Sequence, residues 1–275
     1  MSQHTAELLH QLQHAEGVLV TVESVQGSGP REVGAWMAVF PHTLINTIGG
    51  GHLEFQAIDE ARALLVKPAT GASHEDQGYT LRYALGPALG QCCGGVVHLR
   101  YEHICADDAP QLTQRLLAGS VPLALFGGGH VGRALVHVLG NLPYQVCWID
   151  SRDEVFPVQV PANVVCEHSD PVQDAVADLP PGSAVVIMSF SHAEDLDVVA
   201  ACLKRQRTRA DLRYIGLIGS KTKWATFQHR LKARGFSTEE VSLVTCPIGV
   251  PGINGKEPEV IAVAVAAQLL QQHTL

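Results

Sequence analysis

A glycine-rich turn set between a short apolar run and a helical pattern constrains this chain more than any other feature. Residues 122–126 are apolar, Gly127-Gly128-Gly129-His130-Val131-Gly132 follows, and residues 133–139 have helical spacing. The turn satisfies G-x-G-x-x-G through Gly127, Gly129 and Gly132. A second apolar run, 145–149, ends in Asp150, 23 positions beyond Gly127. In this order the elements form a strand, a turn, a helix and a second strand. The amides and partial positive charge of such a helix start can hold a phosphate, with His130 beside it, and the acid can reach a ribose hydroxyl. The plainer alternative is that the glycines only turn strand into helix. The pattern does not choose the phosphate, since a dinucleotide and a phosphorylated pterin would use the same amides.

The alternation continues downstream. Strand patterns fall at 163–166, 184–188 and 214–218, with helical segments at 195–207 and 221–234 and a closing helix at 257–271. Strands alternating with helices at this spacing predict a parallel sheet in an α/β, Rossmann-like domain. Upstream the grammar differs: a helix at 5–14, strands at 18–25, 36–40, 44–48, 79–83 and 96–100, and a helix at 53–66. That half reads as a smaller α+β domain. The expected division is an N-terminal domain over 1–106, a short helical linker over 107–120 and the Rossmann-like domain over 121–275.

With 46% hydrophobic and 17% charged residues, the chain can bury a sizeable core. A formal charge of −8 argues against a nucleic-acid or anionic-membrane surface, which would want clustered Lys and Arg. No cationic and apolar leader is visible at the N-terminus, and the apolar stretch 260–270 is too short for a bilayer, so a soluble cytoplasmic protein is expected. The seven cysteines form no CxxC pair. An odd, scattered set fits neither a disulfide framework nor a zinc ribbon.

Four further loops look built around sites. Gly27-Ser28-Gly29-Pro30-Arg31 puts a cation on a rigid turn, and Gly49-Gly50-Gly51-His52-Leu53-Glu54 opens a helix with a histidine and a carboxylate in its first turn. Gly90-Gln91-Cys92-Cys93-Gly94-Gly95 places two thiols in a flexible stretch, with Cys93 the better candidate for an exposed one. Cys246-Pro247-Ile248-Gly249-Val250-Pro251-Gly252 is a rigid loop before the last helix. Each has a bland reading as a turn, and Glu54 as a complement to the helix dipole. No GxSxG, HExxH or Walker A pattern is present, which weighs against hydrolase and kinase chemistry.

In combination these segments resemble the XdhC/CoxI family, accessory proteins of molybdenum hydroxylases, along nearly the whole chain. GSGPREVGAWM, IGGGHLE and LGQCCGG carry the likeness in the first half. FGGGHVGRAL, IDSR, YIGLIGSKTK and CPIGVPGINGKEPEVIAVAVAAQLL carry it in the second. GGGHLE with LGQCCGG places it in the XdhC branch. The resemblance implies a homodimeric chaperone that binds the molybdenum cofactor (molybdopterin), supports its sulfuration by a cysteine desulfurase and inserts it into the apo xanthine dehydrogenase large subunit. Proteins of molybdenum cofactor biosynthesis would supply the cargo.

Carried over residue by residue, the motif positions are Arg31, His52, Glu54, Gln91, Cys93, Gly127, Gly129, Gly132, Asp150, His192, Asp195, Lys221 and Cys246, with Gly50, Gly51 and His130 in the same loops. On this reading the pterin phosphate sits on amides of residues 127–132 or 49–52, and Arg31 or Lys221 pairs with its charge. Cys93, with Gln91 nearby, faces the metal or receives sulfur. Many relatives have a histidine where this chain has Phe190 and Cys246, so a histidine role at those positions is not transferred. Two rival readings remain: an NAD(P)-dependent oxidoreductase using the Rossmann half with an acid/base such as His192, and a thiol redox sensor using Cys92 and Cys93.

Overall fold

The computed structural model describes residues 3–66, 78–85 and 94–273. Its contacts divide the chain into two compact units, His4–Leu116 and Leu117–Leu275.

The first unit is an antiparallel five-stranded sheet in the order β3-β2-β1-β5-β4, made of β1 (Gly17–Gln26), β2 (Trp36–Val39), β3 (Leu44–Asn46), β4 (Tyr79–Ala84) and β5 (Val96–Ile104). Alternation along the strands sorts its two faces. Val18, Val20, Val22, Met37, Val39 and Leu99 pack with Leu53, Ala57 and Ala61 of helix α2 (Gly51–Val66). Leu19, Trp36, Ala38 and Phe40 pack on the other side with Leu8 and Leu12 of α1 (Gln3–Leu12) and Leu112 of α3 (Ala109–Leu117).

The second unit is a six-stranded parallel sheet in the order β11-β10-β9-β6-β7-β8. Its strands are β6 (Val121–Phe126), β7 (Tyr144–Asp150), β8 (Val164–His168), β9 (Ala184–Ile187), β10 (Tyr214–Leu217) and β11 (Val244–Thr245). Numbered within the unit and read from the β8 edge, that order is 3-2-1-4-5-6, the doubly wound arrangement whose ligand crevice opens where the winding reverses, between β6 and β9. Helices cover both faces, so the central strands are buried on both sides and read as continuous apolar runs. Helices α4 (His130–Leu139) and α8 (Pro258–His273) pack on Leu123, Leu125, Val146 and Trp148. Helices α5 (His192–Arg209) and α6 (Lys221–Ala233) cover Phe126, Ile149, Ile187 and Leu217.

Two differences from the sequence expectation have physical causes. Helix α5 begins three residues earlier than its apolar spacing predicts. Ser191 caps it, accepting from the Glu194 amide at 3.2 Å while Glu194 reaches back to the Ser191 amide at 3.1 Å. The sixth strand, β11, has only two residues, too few to show a period, and pairs with β10 through Ile215 and Gly216. Short as it is, it delivers Cys246 to the same sheet edge as the other strand ends.

Candidate functional site

The chain leaves β6 through Gly127, which has φ +121° and an amide donating to the Ile149 carbonyl at 2.8 Å. A Cβ there would stand 2.0 Å from the Met188 carbonyl oxygen, so the glycine lets the ends of β6 and β9 touch. Gly132 answers a second close approach: its Cβ would meet the Gly127 carbonyl oxygen at 2.1 Å. That oxygen already accepts the Trp148 indole N–H at 2.9 Å. Gly129 differs from both. It is the exposed N-cap of α4, has ordinary β-region angles, offers no side-chain cap and has open space where a Cβ would be. The first amides of α4 therefore face an open approach with no side chain competing for them, the geometry that favours an anion.

Asp150 is 2% exposed and fully engaged. One carboxylate oxygen accepts the Gly128 amide at 2.6 Å and an Arg152 guanidinium N–H at 2.9 Å; the other accepts the Arg152 amide and Nε at 2.9 and 2.8 Å. Burial alone would raise this carboxyl. The Arg152 guanidinium and the two amides outweigh it and hold the group below its ordinary value. Arg152 also lies over the exposed Phe190 ring, 4.4 Å from its centroid, and Ser151 donates to Glu194 at 2.5 Å. The loops after β7 and β9 are thus tied to each other beside the glycine turn.

The depressed Asp150 value fixes a pH dependence. Its contribution to stability is fully present above the ordinary carboxylate value, about 3.9, and is lost as pH falls through the lower folded value. In urea titrations from pH 6 down to pH 2, Asp150→Asn is expected to flatten the acid limb relative to wild type. An unchanged limb would assign the acid sensitivity elsewhere.

Farther along the edge, Asp195 in the first turn of α5 accepts the Ser189 amide at 2.8 Å and Lys223 Nζ at 2.6 Å, and Lys223 also donates to the Ile218 carbonyl at 2.8 Å. Cys246 adjoins this pair: a Cβ on Gly219 would lie 2.9 Å from Lys223 Cδ and 3.4 Å from Cys246 Sγ. Burial pushes the thiol up to about 11, against the pull of Lys223. His192 is exposed and meets the Phe227 ring edge-on at 6.3 Å.

In the first unit the structure brings Arg31 onto the second glycine loop. Its guanidinium donates to the Thr47 carbonyl at 3.2 Å and pairs with Glu32, which raises its already high value. Gly49, Gly50 and Gly51 have φ of +119°, +74° and +69°, a run that L side chains rarely adopt. Glu54 clamps the loop from within, accepting from the Ile48 and Gly50 amides at 3.0 and 3.1 Å and from the Thr47 hydroxyl. His52 is exposed and stacks on Phe55 at 6.4 Å. Glu54→Ala leaves three donors unmatched, and an expected loss of about 1–3 kcal/mol, read from the urea midpoint, follows from that. A midpoint within error of wild type would return Glu54 to a mere dipole complement.

Residues 123–269, more than half of the chain, match the family model described as the XdhC Rossmann domain, and residues 10–83 match that of the XdhC and CoxI family. The chain belongs to the XdhC family. A Bacillus halodurans protein, whose crystal structure is described as that of a xanthine dehydrogenase, superposes with a TM-score of 0.74, covering 99% of this chain and 96% of its own, at 20% identity. At that identity the likeness speaks for the fold. YqeB, an uncharacterised Escherichia coli (strain K12) protein, is 24% identical over 94% of this chain. The XdhC chain spans 44% of that relative's length.

Of the residues singled out from sequence, Gly127, Gly129, His130, Gly132 and Asp150 gather at the β6 end of the crevice, and Asp195 and Cys246 at its β9–β10–β11 side. Lys221 is exposed at the first position of α6; the lysine that enters the cluster is Lys223, two residues on. Gln91 and Cys93 lie outside the described residues, as does Cys92. Among the described residues no group of three or more His, Cys, Asp or Glu side chains is gathered as a metal site would need. No helix among them is long and apolar enough to cross a membrane. Sequence reasoning missed Arg152, Ser189 and Lys223. The first lies in the IDSR segment, and the last in a first helical turn that holds two lysines and no acid.

Proposed function

We propose that this XdhC protein receives the molybdenum cofactor as cargo, holds it by its phosphate at the start of α4 and passes it to an apo xanthine-dehydrogenase-type enzyme. One observation carries the reading: α4 presents uncapped amides to open space at Gly129, at the winding reversal of a 3-2-1-4-5-6 sheet. A phosphate monoester fits that cradle by charge and by room. His130 stands exposed on the first turn. A cysteine desulfurase acting on the bound cargo, cofactor-biosynthesis proteins as its source and a homodimer complete the proposal. The Arg31 and Gly50–Glu54 loops are a second candidate contact surface, and Gln91 and Cys93 are proposed as cofactor contacts from the sequence. Cys93 is the thiol proposed to face the metal or to take up sulfur.

A nicotinamide dinucleotide is the second reading, favoured by the strand order. It requires more rearrangement, because a ribose at Asp150 must displace Arg152 from the carboxylate. The test is retention. The purified protein is incubated with freshly released cofactor and desalted, and pterin and molybdenum are quantified. Stoichiometric retention supports the carrier. No retention together with saturable NAD binding moves the protein to the oxidoreductases.

A further inference from the structure

The second half of the crevice holds charged groups that neither the glycine turn nor its phosphate explains. Lys223 sits at the third position of α6, where the helix dipole disfavours a cation. The helix start does not need it, since Ser220 already caps it by accepting the Lys223 amide at 3.1 Å. The side chain is 12% exposed and its partner Asp195 3%. A buried ion pair of this kind is seldom more stable than apolar residues of the same volume. Fold stability is therefore a weak reason for its presence.

The pair is also incomplete as a hydrogen-bonded unit. Lys223 uses two of its three N–H groups on Asp195 and the Ile218 carbonyl, lies 5.3 Å from the Phe227 ring centroid and finds no further hydrogen-bond acceptor among the described residues. Asp195 accepts one hydrogen bond on each oxygen, from Lys223 and from the Ser189 amide. The Ser189 hydroxyl oxygen is sealed from solvent and has no hydrogen-bond partner among the described residues. Ser189 follows Met188, whose carbonyl abuts Gly127, so the cluster continues the strand-end edge that begins at the glycine turn. Cys246 borders it on the far side.

We infer that Lys223 is a ligand-binding cation of the crevice, donating its remaining N–H to an anionic oxygen, with Asp195 as the positioning residue that aims it. The ligand class is one with a strong oxygen acceptor remote from its phosphate, such as an oxo or oxyanion group. This extends the carrier reading to the other end of the cargo, but its test does not depend on that reading. Any oxyanion seated at Lys223 stands beside Cys246 and shields the thiol.

Modification of Cys246 by iodoacetamide is followed by peptide mass spectrometry, with no addition, with sodium molybdate and with freshly released cofactor. Both probes are expected to slow modification at least threefold in wild type, and neither in Lys223→Met/Asp195→Asn, which removes the pair without stranding one charge. Lys223→Arg keeps the protection. Modification unaffected by both probes in wild type overturns the inference, as does protection that persists in the double variant. Protection by molybdate without retention of the cofactor upholds Lys223 as an oxyanion ligand and overturns the carrier proposal instead. Where the double variant fails to fold, unprotected Cys246 in wild type still overturns the inference, and Lys223→Met alone takes the double variant's place.

Discussion

Gly127→Ala is expected to unfold the parallel-sheet unit under conditions where wild type is native. The new methyl would have to occupy a point 2.0 Å from the Met188 carbonyl oxygen, with the backbone held at φ +121°. Neither side can give way cheaply. The Gly127 amide is bonded to Ile149, its carbonyl accepts the Trp148 indole, and the Met188 amide is bonded to Phe126 at 2.8 Å. Relief would mean separating β6 from β9 at the centre of the sheet, at a cost of about 4 kcal/mol or more, a large part of a typical domain's stability. Urea unfolding followed by tryptophan fluorescence measures it. The control is Gly129→Ala, where a Cβ meets nothing within 4 Å and the backbone is unstrained, so it should lose only about 1 kcal/mol, the cost of alanine at an N-cap. A Gly127→Ala midpoint equal to wild type would mean that the strand ends are not in contact.

This contrast between two glycines of one motif also shows where sequence reading stops. The run from apolar strand through G-x-G-x-x-G to helix was legible because period and punctuation change within a few residues, and the parallel sheet followed from repetition of the pattern. The strand order was not legible, since it depends on which buried faces meet across long separations. Nor was the state of Asp150. Its spacing marks a ribose acid, whereas in the fold Arg152 and the Gly128 amide occupy both its oxygens.

Lys221 and Lys223 were indistinguishable as sequence. Only the turn of α6 decides that one points to solvent and the other onto Asp195. The capping signature Ser191-His-Ala-Glu194, by contrast, was available and marks the true start of α5. In the first unit, the GGGHLE segment showed that a helix opens after three glycines. It did not show that Glu54 is spent on the loop's own amides. What a side chain is bonded to is a property of neighbours brought from elsewhere in the chain, and local pattern carries little of it.

The larger functional effect is expected at Gly129. Aspartate is a preferred N-cap, the site has room for it, and the backbone angles already suit it. Gly129→Asp should therefore leave α4 intact and stabilise it by a few tenths of a kcal/mol. The same carboxylate supplies the cap that α4 lacks and puts a negative charge where the phosphate is proposed to sit. At about 5 Å and an effective dielectric near 20, that repulsion is about 3 kcal/mol, or on the order of a hundredfold in affinity. A variant that folds at least as well and binds far less separates a binding role from a structural one.

Cofactor retention after desalting, with wild type and Gly129→Asp side by side and their melting temperatures recorded, decides whether the start of α4 holds the phosphate. Near-stoichiometric pterin and molybdenum are expected on wild type, and almost none on a variant that melts no lower. Equal retention by both proteins would contradict the placement of the phosphate at the start of α4. Absence of retention by wild type would contradict the carrier itself.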